Sequence, residues 1–188
     1  MTPHVVLLAG TLRSPSRLNR AVGLAAEEFE RLGMRVTVFD GPSLALPFYH
    51  PDRPADDARV RSLLEAIADA DGVVLGSPTY HGSVSGLLKN ALDYLNDLES
   101  DPRPFLDGRP VGCITVASGQ QGAATALTTL RVIVHALRGW PTPLGIAVGG
   151  LDEAAEQAQL RQQVPVLVGQ VARLAMLSAR SRARKAVP

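Results

Sequence analysis

Cysteine is nearly absent from this chain of 188 residues, which has only Cys113. A single cysteine excludes an internal disulfide and a metal cluster built on several cysteines. Cys113 stands in an apolar run at residues 111–117. Because apolar surroundings disfavour the thiolate, this setting is typical of a small buried side chain rather than of a nucleophile.

The chain also lacks an excess of either charge, since 19 Lys and Arg residues against 18 Asp and Glu residues leave a net charge of +1. Near-neutrality argues against nucleic acid and against a strongly acidic partner. No apolar stretch approaches the ~18 residues typical of a membrane span, and no basic segment precedes the short apolar run at residues 5–9. We therefore expect a cytoplasmic protein without membrane contact.

Positive charge is concentrated only at the C-terminal end. Four basic residues crowd the last nine positions: Arg180, Arg182, Arg184 and Lys185. Such a run is typical of a solvated, frayed terminus. We predict one folded domain over residues 1–178 and a disordered basic tail at residues 179–188.

Within the predicted domain, short apolar runs alternate with longer segments of helical spacing. The runs show no in/out alternation, which suits strands covered on both faces. They occupy residues 5–9, 36–39, 72–76, 111–116 and, more weakly, 144–148. The first helical segment carries Ala21, Leu24, Ala25 and Leu32 on one face, and the others lie near residues 57–69, 85–98, 123–137 and 152–178. The last is expected to break or bend near Pro165.

This alternation predicts an α/β fold, a doubly wound five-stranded parallel sheet with helices on both faces. Parallel strands end at one edge of the sheet, and ligands bind there, where the strand order reverses. We therefore expect three loops that follow strands to meet at one site. They are the first loop (residues 10–19), the second loop (residues 77–84) and the third loop (residues 118–122).

The first loop has the composition of a phosphate site at the start of a helix. A helix N-terminus offers free N–H donors and favours an anion. Polar donors accompany it: Thr11 and Ser16 hydroxyls, the Asn19 amide, and the guanidinium of Arg13 or Arg17. The loop lacks Gly-x-Gly-x-x-Gly and Gly-Lys-Ser/Thr, so a mononucleotide phosphate without a metal fits best. The simpler alternative is that Ser16 or Asn19 only caps the helix and the arginines are surface charges.

The second and third loops suit a flat heteroaromatic ring. Pro78 stiffens the second loop, Tyr80 and His81 offer flat surfaces, and Gly82 permits close backbone approach. In the third loop, backbone amides and Gln120 or Gln121 can bond a polar ring edge. Alternatives remain open: His81 as a general acid, and Tyr80 as a core residue or a subunit contact. A metal site is not expected, because no second ligand stands at metal spacing near His81.

At these loops the sequence resembles the NADPH-dependent FMN reductase family, a flavodoxin-like group of flavin, azo, quinone and chromate reductases. The matching residues are Gly10-Thr11-x-Arg13-x-x-Ser16-x-x-Asn19, Ser77-Pro78-x-Tyr80 and Gly86-x-Leu88-Lys89-Asn90-x-x-Asp93. The resemblance extends over roughly residues 4 to 150 and departs at Thr11, where the family usually has serine.

The resemblance implies that FMN is the cofactor and NADPH or NADH the electron donor. It assigns the FMN phosphate to Thr11, Arg13, Ser16, Leu18 and Asn19. It assigns the ring to Pro78, Thr79, Tyr80 and His81, with Ser118, Gly119, Gln120 and Gln121 from the third loop. It also implies a homodimer or a dimer of dimers, with Leu92, Tyr94, Leu95 and Leu130 as candidates for burial between subunits.

The function that follows is hydride transfer from NAD(P)H to FMN by ping-pong turnover, since the flavin carries the chemistry and no protein residue is expected to be catalytic. Such an enzyme could supply reduced flavin to a monooxygenase. One alternative is a reductase that keeps FMN bound and reduces quinones, azo dyes or chromate. A non-enzymatic alternative is an electron carrier of the flavodoxin type, against which the near-neutral charge argues.

Overall fold

A computed structural model describes residues 2–53 and 56–185, which form one sheet between two layers of helices. The strands are β1 (His4–Ala9), β2 (Arg35–Asp40), β3 (Gly72–Tyr80), β4 (Ser83–Val84), β5 (Pro110–Val116), β6 (Trp140–Pro141) and β7 (Ile146–Val148). The helices are α1 (Arg17–Arg31), α2 (Gly41–Leu44), α3 (Ala58–Asp69), α4 (Gly86–Asp93), α5 (Gln120–Ala136) and α6 (Glu153–Lys185), with a 3₁₀ turn (Tyr94–Leu98) after α4. Within the described ranges, no helix combines the length and the hydropathy that a bilayer span requires.

The sheet has the predicted flavodoxin-like topology. Strands β2, β1, β3 and β5 lie side by side in that order and pair in parallel, and β6 and β7 both pair with β5. The weakly predicted fifth strand is therefore present as β7, shorter than expected, with β6 as a separate piece. The strand order reverses between β1 and β3, because β2 lies on one side of β1 and β5 lies beyond β3.

Each face of the sheet is covered by its own hydrophobic core. Alternate residues of β1 divide between the two, as the period of a strand requires. Val5 and Leu7 join the core beneath α1 and α6, whereas Val6 and Leu8 join the core beneath α3, α4 and α5. The first core is so tight that a Cβ at Gly112 of β5 would lie 2.7 Å from Leu167 of α6. Glycine at this position lets α6 approach the sheet.

Helix α6 is longer than the sequence predicts, and it is continuous from Glu153 to Lys185. It runs through Pro165 without the expected break, since Val164 before the proline and Leu167 after it pack into the same core. It also includes residues 179–185, so the prediction of a disordered tail is wrong for this stretch. Residues 186–188 lie outside the described residues.

The end of α6 is held by charge. Arg182 pairs with the fully buried carboxylate of Asp71 at 2.7 Å and lies 3.5 Å from Asp69. A buried carboxylate requires a cationic partner, because burial removes the water that would otherwise stabilise its charge. Arg182 is therefore drawn to the sheet edge, whereas Arg180 is exposed.

The four residues proposed for a subunit interface lie inside the chain itself. Leu92 and Tyr94 are 2% and 1% exposed, and Leu95 and Leu130 are fully buried. The leucines belong to the core on the α3, α4 and α5 side, and the Tyr94 hydroxyl donates to the backbone oxygen of Pro47 at 3.0 Å. The prediction that a partner subunit covers them is wrong, because these residues form the inward faces of their helices.

Cys113 is buried on β5, as the sequence predicts. Burial raises the pKa of its thiol to about 12. Because the thiol is buried and its ionisation is disfavoured, we expect native protein to resist thiol-directed reagents. A disulfide-exchange reagent should react in guanidinium chloride and almost not at all without it. Rapid labelling of the native chain would contradict this burial.

Candidate functional site

The three loops meet at the carboxyl edge of the sheet, around a cavity of about 340 Å³. The first loop contributes the largest share of its wall, and the ends of β3 and β5 supply the rest. The lining residues are Thr11, Arg13, Pro15, Ser16, Arg17, Leu18, Pro78, Thr79, Tyr80, Val116, Ala117 and Ser118. The cavity therefore lies where the reversal of strand order between β1 and β3 predicts a ligand site.

The first loop contacts the residues on either side of the second loop. The Gly10 N–H donates to the oxygen of Gly76 at 2.9 Å, and the Ser85 hydroxyl donates to the oxygen of Gly10 at 2.7 Å. A Cβ at Gly10 would lie 2.6 Å from the Cβ of Leu88. Position 10 therefore requires glycine for close approach of the chain to α4.

Helix α1 begins at the cavity wall. Ser16 is its N-cap, and the Ser16 hydroxyl accepts the Asn19 N–H at 2.9 Å. Ser16 therefore caps the helix, and its hydroxyl hydrogen is still available to a ligand. The first turn also leaves the N–H groups of Arg17 and Leu18 without intrahelical acceptors, and both residues line the cavity.

Two other residues of the first loop behave differently. Thr11 is 4% exposed, and its Oγ1 accepts the Arg13 N–H at 3.2 Å, so its hydroxyl holds the shape of the loop while it lines the cavity. Asn19 is not part of the cavity wall. Its Oδ1 is buried and has no hydrogen-bond partner within the described ranges.

The two candidate arginines have different surroundings. Arg13 is exposed on the cavity wall and takes part in no ion pair of the described residues. Arg17 pairs with the buried carboxylate of Glu156, and its Nη1 donates to the oxygen of Ala117 at 3.2 Å. The guanidinium free for an anion is therefore that of Arg13.

The second loop is a tight hairpin between β3 and β4. Its two turn residues, His81 and Gly82, have φ values of 50° and 79°, which matches a turn of the I′ type. Gly82 thus serves the turn, since a Cβ there would meet no atom within 4 Å. Tyr80 is 56% exposed on the cavity wall, so the core alternative for Tyr80 is wrong. His81 is exposed and does not line the cavity.

The third loop reaches the cavity through its first residue, Ser118. Gly119 is the N-cap of α5 and supplies no side-chain cap, so the first N–H groups of α5 lack this partner. Gln120 and Gln121 are exposed and stand outside the cavity wall. The Thr79 hydroxyl donates to the oxygen of Gly122 at 3.4 Å and links the second loop to the third.

A fourth segment, after β7, supports the site although the sequence reasoning missed it. The Gly150 N–H donates to the oxygen of Ser118 at 3.0 Å. A Cβ at Gly149 would lie 2.5 Å from the oxygen of Gly119, so this glycine permits the contact. The paired glycines after an apolar run were the available signal.

The cavity wall combines donors suited to an anion with Pro78, Thr79 and Tyr80 at the end of β3. The part suited to an anion combines Arg13, the N–H groups of α1 and the hydroxyls of Thr11 and Ser16. Arg13, Arg17 and Tyr80 are the ionisable residues on the wall, a set without the carboxylate or histidine of a general acid–base pair. Across the described residues, no group of three His, Cys, Asp or Glu side chains is placed to hold a metal ion.

Comparison with known proteins gives consistent matches. Residues 3–172 match the family described as NADPH-dependent FMN reductase. The FMN-dependent NADPH-azoreductase of Staphylococcus haemolyticus is 32% identical over 152 residues, which cover 78% of this chain and 77% of the relative. The Staphylococcus aureus protein of the same name is 32% identical over 157 residues, covering 81% and 80%.

Solved structures show the same fold at lower identity. FerB, a flavoenzyme NAD(P)H:(acceptor) oxidoreductase from Paracoccus denitrificans, is 22% identical with a TM-score of 0.71, covering 92% of this chain and 98% of FerB. The apo form of the NADH:FMN oxidoreductase EmoB is 19% identical with a TM-score of 0.67, covering 90% of each chain. At this identity the likeness establishes the fold alone.

Proposed function

Because the chain belongs to the NADPH-dependent FMN reductase family, we propose that its cavity holds FMN and that it reduces azo compounds with electrons from NADPH. The chain is an oxidoreductase that depends on FMN and NAD(P)H. The choice of acceptor is supported by the two azoreductases, each 32% identical to this chain. The observation that carries the assignment of the site is the meeting of three loops around one cavity at the reversal of strand order.

The residues on the cavity wall fit FMN at both ends. A phosphate monoester matches the N–H groups at the start of α1, the Ser16 hydroxyl and the Arg13 guanidinium. A flat ring matches the part of the wall formed by Pro78, Thr79, Tyr80 and Ser118. Neither end contains a carboxylate on its wall that would repel the phosphate.

FMN would supply the hydride acceptance and the onward electron transfer, so the protein need only hold and orient the reactants. Arg13 and the helix start fix the phosphate end, while Pro78 and Thr79 form a rigid strand end against the ring. Tyr80, more than half exposed, stands where a donor or acceptor enters from solvent. The absence of an acid–base pair from the wall is consistent with this division of work.

The proposed activity predicts three observations on one preparation. Protein loaded with FMN should retain the flavin through gel filtration, oxidise NADPH, and decolourise an azo dye only when NADPH is present. The same protein without flavin is the control and should neither oxidise NADPH nor decolourise the dye.

Other results would favour the alternative functions. Loss of FMN on gel filtration, with reduction of added free FMN but no action on the dye, would indicate a donor of reduced flavin to a monooxygenase. Failure to oxidise both NADPH and NADH would indicate a flavodoxin-type carrier and contradict the proposal.

We expect Arg13→Ala to weaken FMN binding by roughly 1.5–3 kcal/mol, the scale of a hydrogen bond to a charged group. The reason is that Arg13 is the wall arginine without a carboxylate partner within the described ranges. Arg20→Ala is the matched control, because Arg20 lies on α1 outside the cavity wall. Quenching of flavin fluorescence gives both affinities, and equal affinities for the two variants would remove Arg13 from the site.

We also propose that the protein is a homodimer joined through the outer face of α5. The buried leucines cannot form this interface. The outer face of α5 can, because its exposed residues carry no fixed charge along the described helix. Its exposed residues are Gln120, Gln121, Ala124, Thr125, Thr128, Val132, His135 and Ala136. The charged residue of α5, Arg131, donates instead to the backbone oxygens of Thr142 and Pro143 at 3.2 and 2.7 Å. Depletion of charge is typical of the centre of an interface.

Val132→Glu should convert the dimer to a monomer, because it places a charge on this face. Val132 is 63% exposed, and Val166 on α6, 50% exposed, is the control position for the same change. Light scattering after gel filtration measures both masses. A monomeric parent protein, or a Val132→Glu variant that keeps the assembly, would exclude this interface.

A further inference from the structure

Arg17 joins three elements at the cavity wall. It is the first residue of α1, and its Nε donates to Oε2 of Glu156 in the first turn of α6. Its Nη1 donates to the backbone oxygen of Ala117, immediately before the third loop. One guanidinium therefore connects the phosphate end of the cavity to the ring end.

The Glu156 side of this connection is buried. The Glu156 side chain is 3% exposed and that of Arg17 38% exposed. Oε1 of Glu156 is also buried, and it has no hydrogen-bond partner in the part of the chain that the structure describes. The carboxylate is thus compensated by Arg17 alone within that part, and an isolated buried carboxylate is strongly unfavourable.

The pairing also decides what Arg17 does not do. Its positive charge is offset by Glu156, and two of its nitrogens already donate to protein oxygens. Arg13 has neither constraint on its side chain. The two arginines on the same wall therefore have separate tasks, one toward the ligand and one toward the protein.

We propose that Glu156 is a positioning residue that, through Arg17, holds the third loop against the first and so sets the shape of the ring end of the cavity. This inference rests on the proposed binding of FMN in the cavity. Without Glu156 the guanidinium can turn to solvent, and the Ala117 oxygen loses its donor. Both the ring end and the start of the third loop would then loosen.

A second ion pair between the same helices provides the matched control. Arg20 of α1 donates to Glu153 of α6 at 3.0 Å. Their side chains are 44% and 70% exposed, and neither residue lines the cavity. An exposed pair of this kind contributes little.

The test compares FMN with riboflavin, which has the same ring and no phosphate, as ligands of the full chain freed of flavin. Quenching of flavin fluorescence measures both affinities. We expect Glu156→Ala and Arg17→Ala each to lower the affinity for FMN and the affinity for riboflavin by about tenfold. The ratio of the two affinities should stay unchanged. The double variant should be no weaker than either single one, because the pair acts as a unit. Arg13→Ala should lower the affinity for FMN only. Arg20→Ala and Glu153→Ala should change neither affinity.

The outcomes separate this inference from the function on which it rests. A parent chain that binds no FMN refutes both. If the parent binds FMN, a selective loss of FMN in Arg17→Ala makes Arg17 a phosphate ligand and overturns the inference. Unchanged affinities in Glu156→Ala, with only a lower melting temperature, would show a purely structural pair and overturn it as well. If Glu156→Ala does not fold, Glu156→Gln and Arg17→Lys are measured instead. Both should lower the two affinities and leave the ratio of the FMN and riboflavin affinities unchanged.

Discussion

Strands β1 and β3 pair in parallel from Val5 opposite Gly72 to Ala9 opposite Gly76. From this pairing the chain continues in two directions, to β2 on one side and to β5 on the other. Loops that diverge in this way leave a crevice at the carboxyl edge. Gly10 donates a hydrogen bond to Gly76, so the first two loops begin from adjacent positions of the backbone. The cavity and the helix start that faces it both depend on this arrangement.

Buried charges then hold the last helix to that frame at two opposite edges. Glu156 pairs with Arg17 beside the cavity, and Arg182 pairs with Asp71 at the amino edge of the sheet. Near Asp71, the guanidinium of the fully buried Arg109 donates to the backbone oxygens of Ala68 and Ala70 at 2.8 and 3.1 Å. Burial lowers the pKa of Arg109 to about 10, so it is still charged at neutral pH. The amino edge is thus a structural cluster, whereas the carboxyl edge presents donors to a ligand.

Much of the fold and part of the site could be predicted from local patterns. Apolar runs without alternation predicted strands covered on both faces, and parallel topology brought three loops to one edge. Within those loops the pattern could not tell a wall residue from its neighbour. The flat side chain of His81 suits a ring contact, but His81 occupies a hairpin turn. Gln121 lies just after the start of α5 and outside the cavity wall. Glu156 was missed because its partner is distant in the chain.

By itself, the sequence determined the strand and helix alternation, the fold class and the positions of the three loops, because each follows from local spacing and from the rules of parallel sheets. Only the tertiary structure decided which polar groups face the cavity and which face the protein. Arg13 and Arg17 have the same side chain four residues apart, yet Glu156 neutralises one of them. The inward burial of Leu92 and the docking of Arg182 on Asp71 were likewise decided by packing. The physical reason is that burial and charge compensation join residues far apart in the chain, which local patterns do not record.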